Sequence, residues 1–227
     1  MDGRSSRPGR LPTSALRAGL VGLVLACGLG PVVAPDRATA PAWAEEDVVA
    51  VPGGPLEKTR KILEASNAIV TGPGDRNQKL AALKDLLRGF LDTDALARKA
   101  MGKNLDGRTP AQVAEFLSVF RDLFVRTYVQ RLLLFDAPDF GYRGEKIEGD
   151  RATVNTEIIT PRDRFAVDYA LRDTSKGWMA TDILVEDVSL AENFRAQFDK
   201  ALARDSFESL LERLRNKLAA KPNAADF

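Results

Sequence analysis

The sequence predicts an α+β fold: several helices, one twisted antiparallel sheet of about four strands, then a closing helix. Two observations carry this. From Pro55 to Phe135, and again from Ser189 to Leu218, apolar residues recur near every 3.6 positions. Between Phe140 and Val188 the period drops to two, with glycine-bearing turns between the alternating runs.

The first 44 of the 227 residues stand apart from this pattern. Arg4, Arg7, Arg10 and Arg17 precede "AGLVGLVLACGLGPVVA", Ala18 to Ala34, and small residues Ala42 and Ala44 precede Glu45. That order predicts a secretory signal peptide over residues 1–44, cleaved after Ala44. An uncleaved anchor fits less well. Gly22, Gly28, Gly30 and Pro31 interrupt the apolar run, which is short of the roughly 20 clean residues a span needs. A lipoprotein modified at Cys27 is the minor alternative, because "VLACG" loosely matches a lipidation box but Leu25 suits it poorly. Residues 45–54 then read as a mobile leader, 55–219 as the folded domain and 220–227 as a frayed tail.

Within the domain, Leu56, Ile62, Leu63, Ile69 and Val70 mark a helix from Pro55 that "TGPGD" ends. A second helix runs from about Asp75 to Leu91, with Leu80, Leu83, Leu86, Leu87, Phe90 and Leu91 as its stripe. A short helix covers Thr93 to Met101 and stops at Gly102. "TPAQ" opens a long helix, with Thr109 as N-cap, Pro110 at the first position and Gln112 closing a capping box. Val113, Phe116, Leu117, Phe120, Phe124, Tyr128, Leu132 and Phe135 run along it. Two strands then flank the turn Glu148-Gly149-Asp150. Val154, Thr156 and Ile158 alternate with Thr153, Asn155 and Glu157, and in the next strand Phe165, Val167, Tyr169 and Leu171 share a face opposite Asp168 and Arg172. "WMATDILVEDV" is the last strand. Ser189 and Glu192 form an S-x-x-E helix start, followed by Phe194, Phe198, Ala201 and Leu202. "RDSFE" restarts the helix for Phe207, Leu210, Leu211, Leu214 and Leu218.

Composition narrows the chemistry. Cleavage after Ala44 removes five of 33 basic and two of 32 acidic residues, leaving a formal charge of −2. No basic excess supports nucleic-acid binding. The chain past Ala44 has no cysteine and no histidine, so disulfides, thiol nucleophiles, histidine triads and the common zinc sites are excluded there. No phosphate-binding glycine loop or EF-hand loop is present. The acidic pairs Asp92/Asp94 and Glu186-Asp187 stand where helices begin, where negative charge is favoured anyway. No catalytic residue, metal or cofactor is expected. What remains is apolar surface: Phe116, Phe120, Phe124 and Tyr128 on the long helix, Val154, Ile158, Phe165, Val167 and Tyr169 on the sheet, and Phe198 on the closing helix. Either these side chains fill an ordinary core, or they leave an apolar pocket between sheet and helices that suits a lipid. An enzyme on the same scaffold would have to use Asp168, Asp182 and Tyr169.

Three segments resemble a known family. They are "LDTDALARKAMGKNLDGRTPAQVAEFLSVFRDLFVRTYVQRL", "GWMATDILVEDVSLAENFRAQF" and "LLERLRNKL". They are similar to the periplasmic substrate-binding component of the Mla phospholipid-trafficking system, the toluene-tolerance auxiliary family, over about Pro55 to Leu218. The resemblance implies a curved sheet like that of nuclear transport factors, wrapped by helices around an apolar pocket, with acyl chains inside and the head group near solvent. It implies a monomeric periplasmic carrier working between an outer-membrane lipoprotein complex and an inner-membrane ABC transporter with a substrate-capturing ring. The family also has a hopanoid-associated branch. The chain departs from the family pattern at Thr181, where tyrosine is common, at Asp187, where glycine is common, and near Ser206, where another glycine is often found. These positions leave partner docking and lipid identity open.

Overall fold

The computed structural model describes residues 50–133, 138–160 and 163–220. The expected signal peptide, Cys27, half of the leader, Phe135 and nearly all of the tail lie outside them.

Helix α1 (Pro55–Thr71) starts on a proline, whose missing N–H costs nothing there, and ends at Gly72. Its start is capped from far away in sequence. The Glu145 carboxylate accepts the Leu56 N–H at 2.7 Å and the Val51 N–H at 3.2 Å, placing negative charge at the positive end of the helix. Helix α2 (Arg76–Arg88) opens with a capping box in which Asp75 accepts from the Gln78 N–H and Gln78 accepts from the Asp75 N–H.

The expected extension of α2 to Leu91 does not form. The helix stops at Arg88 because the sheet claims the next backbone groups: Ala180 N–H donates to Phe90 at 2.7 Å, and Asp92 N–H donates to Ala180 at 2.8 Å. Leu91 thereby makes a parallel bridge with Ala180. Helix α3 (Thr93–Met101) follows, capped by Asp92, and a 3-10 turn over Gly102–Leu105, not anticipated, closes it. Helix α4 (Pro110–Leu132) has the expected capping box: Gln112 N–H donates to Thr109 Oγ1 and Thr109 N–H donates to Gln112 Oε1.

The sheet is an antiparallel meander of β1 (Asp139–Glu148), β2 (Arg151–Ile159), β3 (Arg164–Thr174), β4 (Gly177–Val185) and β5 (Val188–Ser189), in that order. The fifth strand, beyond the four expected, is a two-residue return inside the strand-to-helix junction. Its hairpin needs left-handed backbone at both turn residues, and Glu186 (φ 50°) and Asp187 (φ 64°) adopt it. Across β2 and β3 the register pairs Val154 with Tyr169, Thr156 with Val167 and Ile158 with Phe165, so the alternating apolar residues share one face as expected. The β1–β2 register shifts between Tyr142 and Gly144. The β3–β4 register shifts between Ala170 and Leu171.

Helices α5 (Leu190–Leu202) and α6 (Phe207–Ala219) complete the chain, capped by Ser189 and Ser206. Helix α5 packs against α3, α6 packs against α4, and α1 lies over β1 and β2. One main apolar core joins the inner sheet face to all six helices. Arg126 of α4 donates to the backbone carbonyls of Lys217, Leu218 and Ala220, tying down the end of α6.

Candidate functional site

The aromatic stripe of α4 is a continuous ladder. Ring centroids lie 5.8 Å apart between Phe116 and Phe120, 5.8 Å between Phe120 and Phe124, and 4.2 Å between Phe124 and Tyr128. Helix α5 interlocks with it. Phe198 meets Phe116 edge-on at 5.8 Å, and Phe194 meets Phe120 edge-on at 5.2 Å. Edge-to-face pairs of this kind add about 0.5–1.5 kcal/mol each beyond the area they bury. Phe194 and Phe198 therefore hold α5 to α4.

The sheet contributes a second apolar group. Val154 is fully buried, Val167 and Tyr169 nearly so, and Ile158 is half-buried against the same core. Tyr169 meets Phe90 edge-on at 5.5 Å, a partner that lies at the α2–α3 junction and not on the stripe of α2 where it is expected. Phe165 stands apart. It is buried, but in a small cluster with Val185 and Ile183 rather than in the main core. The ten residues singled out from the sequence thus fall into the α4–α5 ladder, the β2–β3 patch, and Phe165 beside β4.

Sequence reasoning missed a third group, at the seam between α1 and β1. Tyr142 lies opposite Thr156 in the register, on the inner sheet face, and the Arg60 guanidinium carbon sits 4.6 Å from its ring centre. Burial pushes the Tyr142 phenol up to about 12, with the Glu64 charge adding and the Arg60 charge opposing. Tyr142 Oη, Arg60 Nε and Asn67 Oδ1 are buried without a hydrogen-bond partner among the described residues. Among the described residues one further such atom is Gln197 Oε1 on α5, so three of these four atoms belong to α1 and β1. Asn67 spends its Nδ2 on the Pro138 carbonyl. Nothing in the sequence pairs α1 with β1; the only signal was the polar spacing Arg60, Glu64, Asn67 at one and then nearly two turns.

The three residues an enzyme would need do not converge. Asp182 is buried and spends both oxygens on donors from α3, β4 and α5. Asp168 faces the opposite side of β3 from Tyr169. Burial drives the Tyr169 phenol above its usual range, with Tyr142 and Asp168 adding, so it keeps its proton. No cluster of metal-ligating side chains occurs among the described residues, and no helix there is long and apolar enough to cross a membrane.

The described residues thus form an antiparallel meander with an apolar inner face, walled by helices. The chain belongs to the MlaC family: the MlaC protein family model matches residues 57–216. It is similar in fold to the phospholipid-binding protein from Ralstonia solanacearum, solved in complex with a phospholipid. That likeness has a TM-score of 0.64 at 22% identity and covers 72% of this chain and 96% of that one. No curated protein matches the chain.

Proposed function

We propose that this protein is a periplasmic carrier that holds a phospholipid by its acyl chains and moves it between an outer-membrane lipoprotein complex and an inner-membrane ABC transporter. Membership of the MlaC family supports the reading most directly. The apolar core shared by the inner sheet face and the α4–α5 ladder has the chemistry that acyl chains need. The acyl chains lie between them, against Val154, Ile158, Val167 and Tyr169 on one side and the ladder on the other.

The energetics suit transfer rather than storage. Two chains of roughly fifteen methylenes each gain on the order of 24 kcal/mol on leaving water, at about 0.8 kcal/mol per methylene. That gross sum exceeds the ceiling of non-covalent affinity, so water is the wrong reference state. Against a bilayer the apolar terms nearly cancel, and a carrier need only match the bilayer to take lipid up and release it at a partner.

Native mass spectrometry of protein purified from its producing cells without detergent tests this. The expected spectrum shows the chain carrying one phospholipid mass. A bare chain that also takes up nothing from phospholipid vesicles defeats the proposal, and a hopanoid mass moves the chain to the other branch of the family.

A further inference from the structure

We infer that the α1–β1 seam seats a zwitterionic phosphodiester–ammonium head group, with Arg60 and Tyr142 donating to the phosphate and Glu64 and Asn67 receiving the ammonium. The inference rests on the carrier reading and deepens it, by saying which part of the lipid the protein recognises by hydrogen bonds and where.

The argument begins with satisfaction. Buried polar groups are hydrogen-bonded in the great majority of cases, and one left unmade costs more than an ordinary bond gains. Here three such atoms belong to the packed pair α1 and β1. Two of them, Arg60 Nε and Tyr142 Oη, are hydrogen-bond donors within one cation–aromatic contact of each other. The oxygens of an ionised phosphodiester accept and never donate, and bonds from arginine to phosphate are among the stronger kinds. The Tyr142 phenol keeps its proton at any physiological pH, since burial holds it near 12, so its hydroxyl is always available to donate.

The third orphan is of the opposite kind. Asn67 Oδ1 is an amide oxygen and can only accept, and the Nδ2–Pro138 carbonyl bond sets which way the amide faces. Glu64 brings a negative charge close enough to Tyr142 to oppose loss of its proton. Arg60, Glu64 and Asn67 follow one another on α1 at spacings of four and three residues, about 6 Å and 4.5 Å along the axis at 1.5 Å per residue. The helix therefore presents a cation, then an anion and an acceptor, on one face. A phosphate linked to an ammonium through a short alkyl bridge presents the complementary order. A head group with a phosphate but no ammonium, or with neither, does not. The seam also borders the apolar sheet face through Tyr142, whose neighbour in the register is Thr156, so a head group here leaves its chains directed along that face.

The test loads delipidated full chain from vesicles of three lipids with identical acyl chains: phosphatidylethanolamine, phosphatidylglycerol and diacylglycerol. Bound lipid per chain is read by native mass spectrometry. Wild type takes phosphatidylethanolamine over diacylglycerol by roughly a hundredfold, the equivalent of two charge-assisted hydrogen bonds. Tyr142→Phe and Arg60→Leu each lower that ratio about tenfold while diacylglycerol loading stays unchanged, the value of one such bond. Glu64→Gln narrows the gap between phosphatidylethanolamine and phosphatidylglycerol. Tyr142→Phe also separates recognition from misfolding, because it deletes a hydroxyl that has no partner in the empty protein and so leaves the melting temperature equal or higher. Unchanged ratios in all three variants overturn the seat, as does a wild type that loads the three lipids equally while still carrying them. A wild type that loads none of them defeats the carrier reading itself. Loss of phosphatidylethanolamine to millimolar inorganic phosphate assigns the donors to free phosphate and overturns the head-group assignment.

Discussion

Asp168 sits half-buried on the outer face of β3, where its carboxylate accepts the Thr156 N–H at 3.3 Å. Burial raises its pKa above the ordinary carboxylate value. The Asn155 side chain and the Thr156 N–H oppose the rise, the nearby Asp187 charge adds to it, and Arg143 opposes it. A group whose folded pKa is raised binds its proton more tightly in the native state. Its contribution to stability is therefore complete below the ordinary carboxylate value and is lost as pH climbs through the raised one. Asp168→Asn keeps an acceptor for Thr156 and removes the charge. It should melt higher than wild type at pH 7, and the difference should vanish near pH 3, below the ordinary value of about 3.9. A gap of equal size at both pH values would show that the charge is not its source. The alternation in "RFAVDYALRD" was enough to put Val167 inside and Asp168 outside, because a strand with one buried face allows a single register. The same rule said nothing of Arg60 beneath Tyr142. That contact joins residues far apart in sequence through the packing of a helix on a strand, which no local period encodes.

At the scale of elements, Asp182 is a junction. Its Oδ2 accepts from Lys99 Nζ at 2.6 Å and from Ser189 Oγ at 2.5 Å, and its Oδ1 accepts the Ile183 N–H at 2.9 Å and the Ala191 N–H at 3.1 Å. One side chain thus binds α3, β4 and the first turn of α5, with the positive end of α5 facing its charge. Asp182→Ala strands these donors and should cost about 3–5 kcal/mol, as breaking a buried charged network does. Lys99→Met should cost much less, on the order of 1 kcal/mol, because the neutral donors keep the carboxylate satisfied and Lys99 is 44% exposed. Urea denaturation of both variants measures the two losses, and equal losses would mean that the ion pair, not the backbone cap, holds the junction. The sequence did reveal Ser189 as the cap of α5, from S-x-x-E alone, and Ser189 Oγ accepts the Glu192 N–H at 3.1 Å. It did not reveal that Asp182 caps the same helix, because only the left-handed turn at Glu186 and Asp187 folds that carboxylate back over the helix start. The end of α2 was misread for a related reason. Phe90 and Leu91 fit the helical stripe, but hydrogen bonds from β4 outweighed that local preference.

For the whole molecule, a lipid bound only to the native state adds to stability by mass action. At a hundredfold excess over the dissociation constant the gain is about 2.7 kcal/mol, which for a chain of this size moves the melting temperature by roughly 5–10 °C. Mild delipidation should therefore lower the melting temperature by that amount, read by differential scanning fluorimetry, and adding phospholipid vesicles back should restore it. Identical melting before and after delipidation would mean that the ladder and the sheet patch close on each other as a filled core. The order of helices, meander and closing helices was legible throughout, because each segment carries its own period and its own caps. The division of the apolar residues was not. Periodicity reports that Phe120, Val167 and Phe165 are all buried, and the three end in a helix–helix ladder, a sheet patch and a separate cluster beside β4.

The way the sheet ends has a consequence for the proposed carrier cycle, at the step after cargo release. Any antiparallel sheet has two outer strands whose unpaired backbone can template the addition of another chain. Past β4, the two residues of β5 and the Phe90–Asp92 backbone occupy that position. Along β1, the shift between Tyr142 and Gly144 breaks the straight run, and the half beyond it ends in the charged pair Lys146 and Glu148. A carrier of the kind proposed would pass through an empty state at every cycle. With both sides of the sheet interrupted in this way, that state offers no long, regular template on which copies can polymerise.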